Sequence, residues 1–187
     1  MGKLYVVSGP SGGGKNTIVR SILERRANVY FSVSATTRVP RAGEVDGVDY
    51  RFVSADEFER MRANGEFLEC SQHLDNWYGT PVRPITDKLA AGYSVILDIE
   101  TTGAGNVFRL MPEAVGIFVM PESDATLERQ LRSRGTETEP QIYSRMRKNM
   151  QELSLLGMYK YKVTNIFGNP DAAVAEFENI LNREELQ

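Results

Sequence analysis

The sequence predicts an α/β fold built around a mainly parallel sheet, with helices on its faces. Two observations predict it. A short apolar run, Leu4-Tyr5-Val6-Val7, leads into Gly9-Pro10-Ser11-Gly12-Gly13-Gly14-Lys15-Asn16-Thr17 and then into a helical pattern from about Thr17. Beyond that, apolar runs of strand character alternate with amphipathic helical segments along most of the 187 residues.

The glycine-rich loop carries most of the chemistry. Glycines let successive backbone N–H groups turn inward onto a phosphate, and the following helix N-terminus adds a positive dipole end. Lys15, directly after the last glycine, reaches the outer phosphates of a nucleotide. A plain turn would not need four glycines in six positions, since each loses more chain entropy on folding than another residue. Asn16 stands where this motif usually has a serine or threonine for magnesium, and Thr17 follows one residue later.

Expected strands are Leu4–Ser8, Tyr30–Ser34, Tyr93–Ile99, Val115–Val119 and Tyr161–Asn165. Expected helices are Thr17–Arg26, Pro81–Ala91, Gly103–Met111, Ala125–Ser133, Gln141–Leu156 and Ala172–Arg183. Thr80-Pro81 has the form of an N-cap with proline in the first turn, and Gly92 of its stop. Ser54-Ala55-Asp56-Glu57 has the form of a capping box opening a further helix that stops near Gly65. Two regions break the rhythm. Residues 34–80 suggest a small α+β lobe, and residues 125–156 a polar helical lid rich in arginine.

Composition bounds the function. Acidic and basic residues are mixed along the chain at a net charge of −3, without a polybasic run, so no nucleic-acid partner is expected. The one cysteine, Cys70, suits a reducing interior and packing in a strand. No apolar stretch has signal-peptide or membrane-spanning length, from which a cytoplasmic protein without a membrane partner is expected. The oligomeric state is open.

A second constellation lies at Thr36–Tyr50. Arg38 and Arg41 flank Pro40, which stiffens the loop, and together they can fork onto one phosphate; Tyr50 adds a hydroxyl. Downstream, Glu69 supplies a carboxylate, Tyr78 a phenol and Thr80 a hydroxyl. A carboxylate accepts from the adjacent N–H donors of guanine, a pair that adenine lacks. Each residue taken singly suits a surface arginine, a core tyrosine or a helix cap; beside a phosphate loop their joint presence favours a nucleotide site.

From about Lys3 to Ile180 the chain resembles the guanylate kinases, P-loop enzymes that phosphorylate GMP from ATP. The resemblance rests on Gly9–Thr17, Thr36–Tyr50, Tyr78–Thr80, Leu97-Asp98-Ile99-Glu100 followed by Gly103, and Arg134-Gly135-Thr136. It implies a P-loop core over residues 3–33, 84–124 and 157–183, an inserted GMP-binding lobe over 34–83 and a helical lid over 125–156. It further implies that Gly9, Pro10, Ser11, Gly12, Gly13, Gly14, Lys15, Asn16 and Thr17 cradle ATP, with Arg134 and Asn165 completing that side. GMP phosphate falls to Arg38, Arg41, Tyr50 and Tyr78, and guanine to Ser34, Glu69, Thr80 and Glu100. Lys15, Arg38, Arg134 and Arg145 would be catalytic. Thr17 and Asp98 would hold Mg2+, partly through water.

Departures from the family pattern are Asn16, Thr101-Thr102 before Gly103, Trp77 at a tyrosine position, and Lys160 and Lys162 around Tyr161, which suggest an edge-like or shortened last strand. Two rivals share the fold: a silent binding module that uses the GMP lobe for phosphopeptides, and a kinase for another phosphorylated acceptor. Lys15 with the complete loop opposes the first, and Glu69, Thr80 and Glu100 oppose the second.

Overall fold

The computed structural model describes residues 2–73, 75–133 and 138–186. Its centre is a five-stranded parallel sheet of order β2-β7-β1-β8-β9, made of Val29–Phe31, Ser94–Asp98, Leu4–Ser8, Val115–Pro121 and Tyr161–Asn165. Residues of β1, β7 and β8 are almost all buried, as befits strands covered on both faces. On one face, helices α1 (Lys15–Arg25) and α7 (Asp171–Glu185) pack Ile18, Ile22, Val174 and Phe177 onto Tyr5, Ile96 and Ile117. On the other, α3 (Val82–Ala90) and α4 (Thr101–Leu110) pack Ile85, Ala104 and Val107 onto Val6, Leu97 and Phe118. Truncating one of the buried isoleucines to alanine would cost about 2–5 kcal/mol.

The expected α/β class and mainly parallel sheet are present, with shifted ends. The second strand spans Val29–Phe31, one residue earlier than expected at its start and keeping only Tyr30 and Phe31 of the expected Tyr30–Ser34, because the chain leaves the sheet early to enter the inserted segment. Strand β9 is full length but lies at the sheet edge, where exposed Lys162 and Thr164 alternate with buried Val163 and Asn165. Lys160, just before it, is tied down by Glu184.

Residues 35–81 form a second, four-stranded sheet of order β4-β3-β6-β5: Arg51–Phe52, Ala35–Thr36, Asn76–Pro81 and Phe67–His73. Helix α2 (Ala55–Ala63) covers it through Phe58 and Met61. Ser54 accepts from the Glu57 N–H, but the Glu57 carboxylate takes Arg51 instead of closing the box. Thr80 is not the cap of α3 either: it lies within β6, Pro81 holds the cap position, and the Thr80 hydroxyl is used elsewhere.

Helices α5 (Asp124–Ser133) and α6 (Glu139–Leu153) pair through their own small core of Leu127, Leu131 and Ile142. Helix α6 begins two residues earlier than expected because Thr138 caps it, its backbone N–H bonded to Gln141. Among the described residues, no helix is long and apolar enough to cross a membrane.

Candidate active site

The loop from Gly9 to Gly14 joins the C-terminal end of β1 to α1, and Gly13 closes a turn onto the Pro10 carbonyl at 3.0 Å. Gly14 caps the helix with φ +85°, a left-handed conformation that an L side chain resists. A Cβ there would also lie 2.2 Å from Asn165 Nδ2. Helix α1 starts at Lys15, two residues before the expected Thr17, which puts Asn16 and Thr17 in its first turn. No side chain caps that turn and no acidic residue lies in it, so its N–H groups and dipole end stay available to an anion. Lys15 Nζ curls over the loop onto the carbonyls of Gly9 at 2.7 Å and Pro10 at 3.3 Å. Arg145, from α6, donates to the Ser11 hydroxyl. Asn165, ending β9, donates Nδ2 to the Gly13 carbonyl at 2.9 Å.

Asp98 ends β7, the strand next to β1. Burial raises its carboxyl above the usual range, with Lys15 pulling it down and Glu100 pushing it further up. Thr17, the other residue expected to hold magnesium, lines a pocket beside the loop with Gly12, Gln130 and Asn165. Among the described residues, no group of three or more His, Cys, Asp or Glu side chains could hold a metal ion. A single half-buried carboxylate beside a phosphate loop nevertheless fits magnesium, which keeps most of its waters and takes few protein ligands.

On the inserted lobe, Arg38 is held by Glu44 in a two-bond fork of 2.8 and 2.9 Å, and Glu44 also accepts from the Arg41 N–H at 2.7 Å. The fork is the largest cause that raises the Arg38 guanidinium further and holds the Glu44 carboxyl below its usual range. Sequence reasoning gave Glu44 no role; an acidic residue within reach of two arginines was the signal available. The Arg38 guanidinium lies 5.4 Å from the Tyr50 ring centre, and Tyr50 meets Tyr78 edge-on at 5.9 Å. Burial, then Asp98 and Tyr78, push the Tyr50 phenol up to about 12, so it stays protonated and able to donate at neutral pH. Arg38, Tyr50 and Tyr78 are thus brought together, while Arg41 is exposed and its backbone N–H joins Arg38 on Glu44. Trp77 packs toward α2, near Phe58 and under the Arg62 guanidinium.

Glu69 on β5 and Thr80 on β6 are cross-strand neighbours. The Thr80 hydroxyl donates to Glu69 Oε1 at 2.7 Å, while Glu69 Oε2 is buried without a hydrogen-bond partner. Burial raises the Glu69 carboxyl, Thr80 opposes this and Glu100 adds to it. Gly103, near the start of α4, is needed here for close approach: a Cβ would sit 2.6 Å from Glu69 Oε2. Ser34 precedes β3 and accepts the Arg51 N–H at 2.9 Å through its carbonyl. Glu100, the N-cap residue of α4, takes Lys148 from α6 at 2.7 Å. Lys148 too was missed in the sequence. Arg134, expected to be catalytic and to bind ATP, lies outside the described residues.

A sequence profile of the family described as Guanylate kinase matches residues 1–184. The chain is 44% identical to the guanylate kinase of Carboxydothermus hydrogenoformans over 186 residues, covering 100% of this chain and 90% of that protein. It is 44% identical to the guanylate kinase of Clostridioides difficile, covering 98% of this chain and 88% of that protein. The crystal structure of guanylate kinase from Anaplasma phagocytophilum superposes with a TM-score of 0.83 at 32% identity, covering 100% of this chain and 87% of that one. The chain belongs to the guanylate kinase family, a family of phosphotransferases, and is an enzyme of that class.

Proposed function

We propose that this chain transfers the terminal phosphoryl group of ATP to GMP and dGMP, in purine nucleotide metabolism of the cytoplasm. One observation carries the acceptor assignment. The buried Glu69 carboxylate has one oxygen fixed by Thr80 and the other unpartnered, an arrangement that accepts the adjacent N–H groups of guanine and finds no such pair on adenine. Glu100 and Ser34 complete that side, and Arg38, Arg41, Tyr50 and Tyr78 take the GMP phosphate.

Phosphoryl transfer needs positioning and charge neutralisation more than covalent chemistry. The loop N–H groups and the dipole end of α1 hold the donor phosphates. Lys15 carries charge to the group in flight, and Arg145 and Arg134 bring more from the lid. Asp98 and Thr17 would hold Mg2+, partly through water, and the Asn16 amide would offer an oxygen to the hydrated ion. Mg2+, when bound, neutralises phosphate charge and aligns the donor oxygens. No general base is required, because the attacking GMP phosphate oxygen already bears negative charge. The core (3–33, 84–124, 157–183) would carry the donor, and the lobe (34–83) and lid (125–156) would close over both nucleotides, excluding water. The intact Lys15 loop favours this over a silent binding module.

A coupled assay with ATP and each of GMP, dGMP, AMP, UMP and CMP tests the reading. GMP and dGMP should turn over, and AMP should be rejected by about 10⁴-fold, as when a site built for a hydrogen bond meets a substrate that lacks it. Comparable rates with AMP and GMP would overturn the guanine assignment.

A further inference from the structure

Helix α6 turns one face toward the nucleotide site. Arg145 reaches Ser11 of the phosphate loop, Lys148 reaches Glu100, and Asn149 donates Nδ2 to Asp124 at 2.9 Å. Glu152 follows Lys148 by one helical turn on that face. It is only 6% exposed, and among the described residues no side chain hydrogen-bonds to its carboxylate or pairs with it. A carboxylate withdrawn from water in this way is costly unless a cation serves it. The cations that act on it are Lys148 first and Lys15 second, while Glu100 repels it. Burial outweighs them and lifts its carboxyl above the usual range, so Glu152 gains from any cation brought against it.

Lys15 is held by the carbonyls of Gly9 and Pro10 in its own loop, which leaves Lys148 as the cation that can change partner. It pairs with Glu100 at 2.7 Å, and that pair is partly exposed, hence weak enough to exchange. A lysine four residues before a glutamate on a helix also lies within side-chain reach of it. Asn149, 1% exposed and bonded to Asp124, anchors this turn of α6, so the exchange asks only for rotation of the flexible Lys148 stem. Guanine on Glu100 would displace the ammonium from that carboxylate, and Glu152 is the next carboxylate along the helix. We infer that Glu152 is a positioning residue for the acceptor side: it takes Lys148 over when guanine arrives and so releases Glu100 to the base. This rests on the reading that Glu100 receives guanine. It adds a residue that touches neither nucleotide and acts on GMP through Lys148.

The test is a double-mutant cycle in steady-state kinetics, with Glu152→Gln, Lys148→Ala and the two combined. Glu152→Gln should raise the KM for GMP about three- to fivefold, because Lys148 then stays on Glu100, and should leave the KM for ATP in place. In the Lys148→Ala background the same change should alter the KM for GMP by less than about twofold. A merely structural loss at position 152 would show in both backgrounds. Equal effects in both, no effect, or a lower KM for GMP overturn the inference. Glu100→Gln separates it from the reading beneath: a KM for GMP unchanged by that variant shows that Glu100 does not receive guanine, and the inference falls with it. Should Glu152→Gln fail to fold, nuclear Overhauser contacts of the Lys148 ε-methylene in the wild-type chain decide. Contacts that move from Glu100 to Glu152 on saturation with GMP support the inference, and contacts that stay on Glu100 overturn it.

Discussion

Lys148 and Glu100 meet in an ion pair of 2.7 Å that links helix α6 to the N-terminus of α4. The two side chains come from residues 48 apart, one beside Arg145 on the lid helix and the other beside the Glu69 carboxylate's electrostatic neighbourhood. If Glu100 receives guanine, Lys148 competes with the acceptor for the same carboxylate. The pair is partly exposed, so its worth is at most about 1 kcal/mol. Lys148→Ala should therefore lower the KM for GMP by up to about fivefold, with little change in the KM for ATP. Raising ionic strength should weaken the wild-type pair and narrow that difference. A rise in the GMP KM of the variant would refute the competition.

Glu69→Gln replaces a charged acceptor with a neutral one of the same shape. Hydrogen bonds to charged groups contribute about 1.5–3 kcal/mol, so the KM for GMP should rise by about 10- to 100-fold while ATP binding holds. The pH dependence follows from the direction of the Glu69 shift. Burial lifts its carboxyl, so a proton competes with guanine at a higher pH than at an ordinary glutamate. GMP affinity should be full above that raised value and fall as pH drops through it. In Glu69→Gln the acidic limb should flatten; an identical limb in both proteins would assign it to another group.

Lys15→Ala should cut kcat by orders of magnitude, because the ammonium serves charge that develops during transfer. Its two bonds run only to carbonyls of its own loop, so thermal unfolding should shift little. Near-normal turnover in a folded Lys15→Ala protein would contradict the loop's role.

Asn16→Ser tests whether the exposed amide at that position matters to the metal. If Mg2+ is held mainly through water, ATP phosphates and Asp98, its half-saturating concentration should change by less than about twofold. A large gain in turnover with serine would mean that the natural loop is compromised.

Glu184 offers a test of stability instead of catalysis. It is buried, at 2% exposure, and accepts from Lys3 at 3.3 Å, Lys160 at 2.6 Å and the Tyr161 hydroxyl at 2.6 Å. Burial works against its charge, yet the three donors together prevail and hold its carboxyl below the usual range. A depressed carboxyl contributes stability above its unfolded pKa, and that contribution is lost as pH falls through the folded value. Glu184→Gln should be less stable than wild type by about 2 kcal/mol at neutral pH, with the gap closing in acid. A gap independent of pH would show that packing, not charge, sets the loss.

The sequence by itself determined what adjacent residues can build. The phosphate cradle was legible because β1, Gly9–Gly14, Lys15 and the start of α1 follow one another along the chain, and glycine geometry acts locally. The parallel sheet was legible because strands buried on both faces are continuously apolar, as Tyr5–Val7 and Val95–Leu97 are. What needed tertiary structure was every choice of partner between distant segments. The Thr80 hydroxyl looked like a helix cap, and only the pairing of β5 with β6 turned it onto Glu69. Strand ends shifted for a related reason: the chain leaves β2 at Phe31 to enter the second sheet, a departure that no local pattern marks. Lys148 reaches Glu100, and Gln130 shares a pocket wall with Asn165, because helices α5 and α6 are packed against each other and close to the loop. A side chain's partners depend on which faces the packing brings together, and residue spacing along the chain does not contain that information.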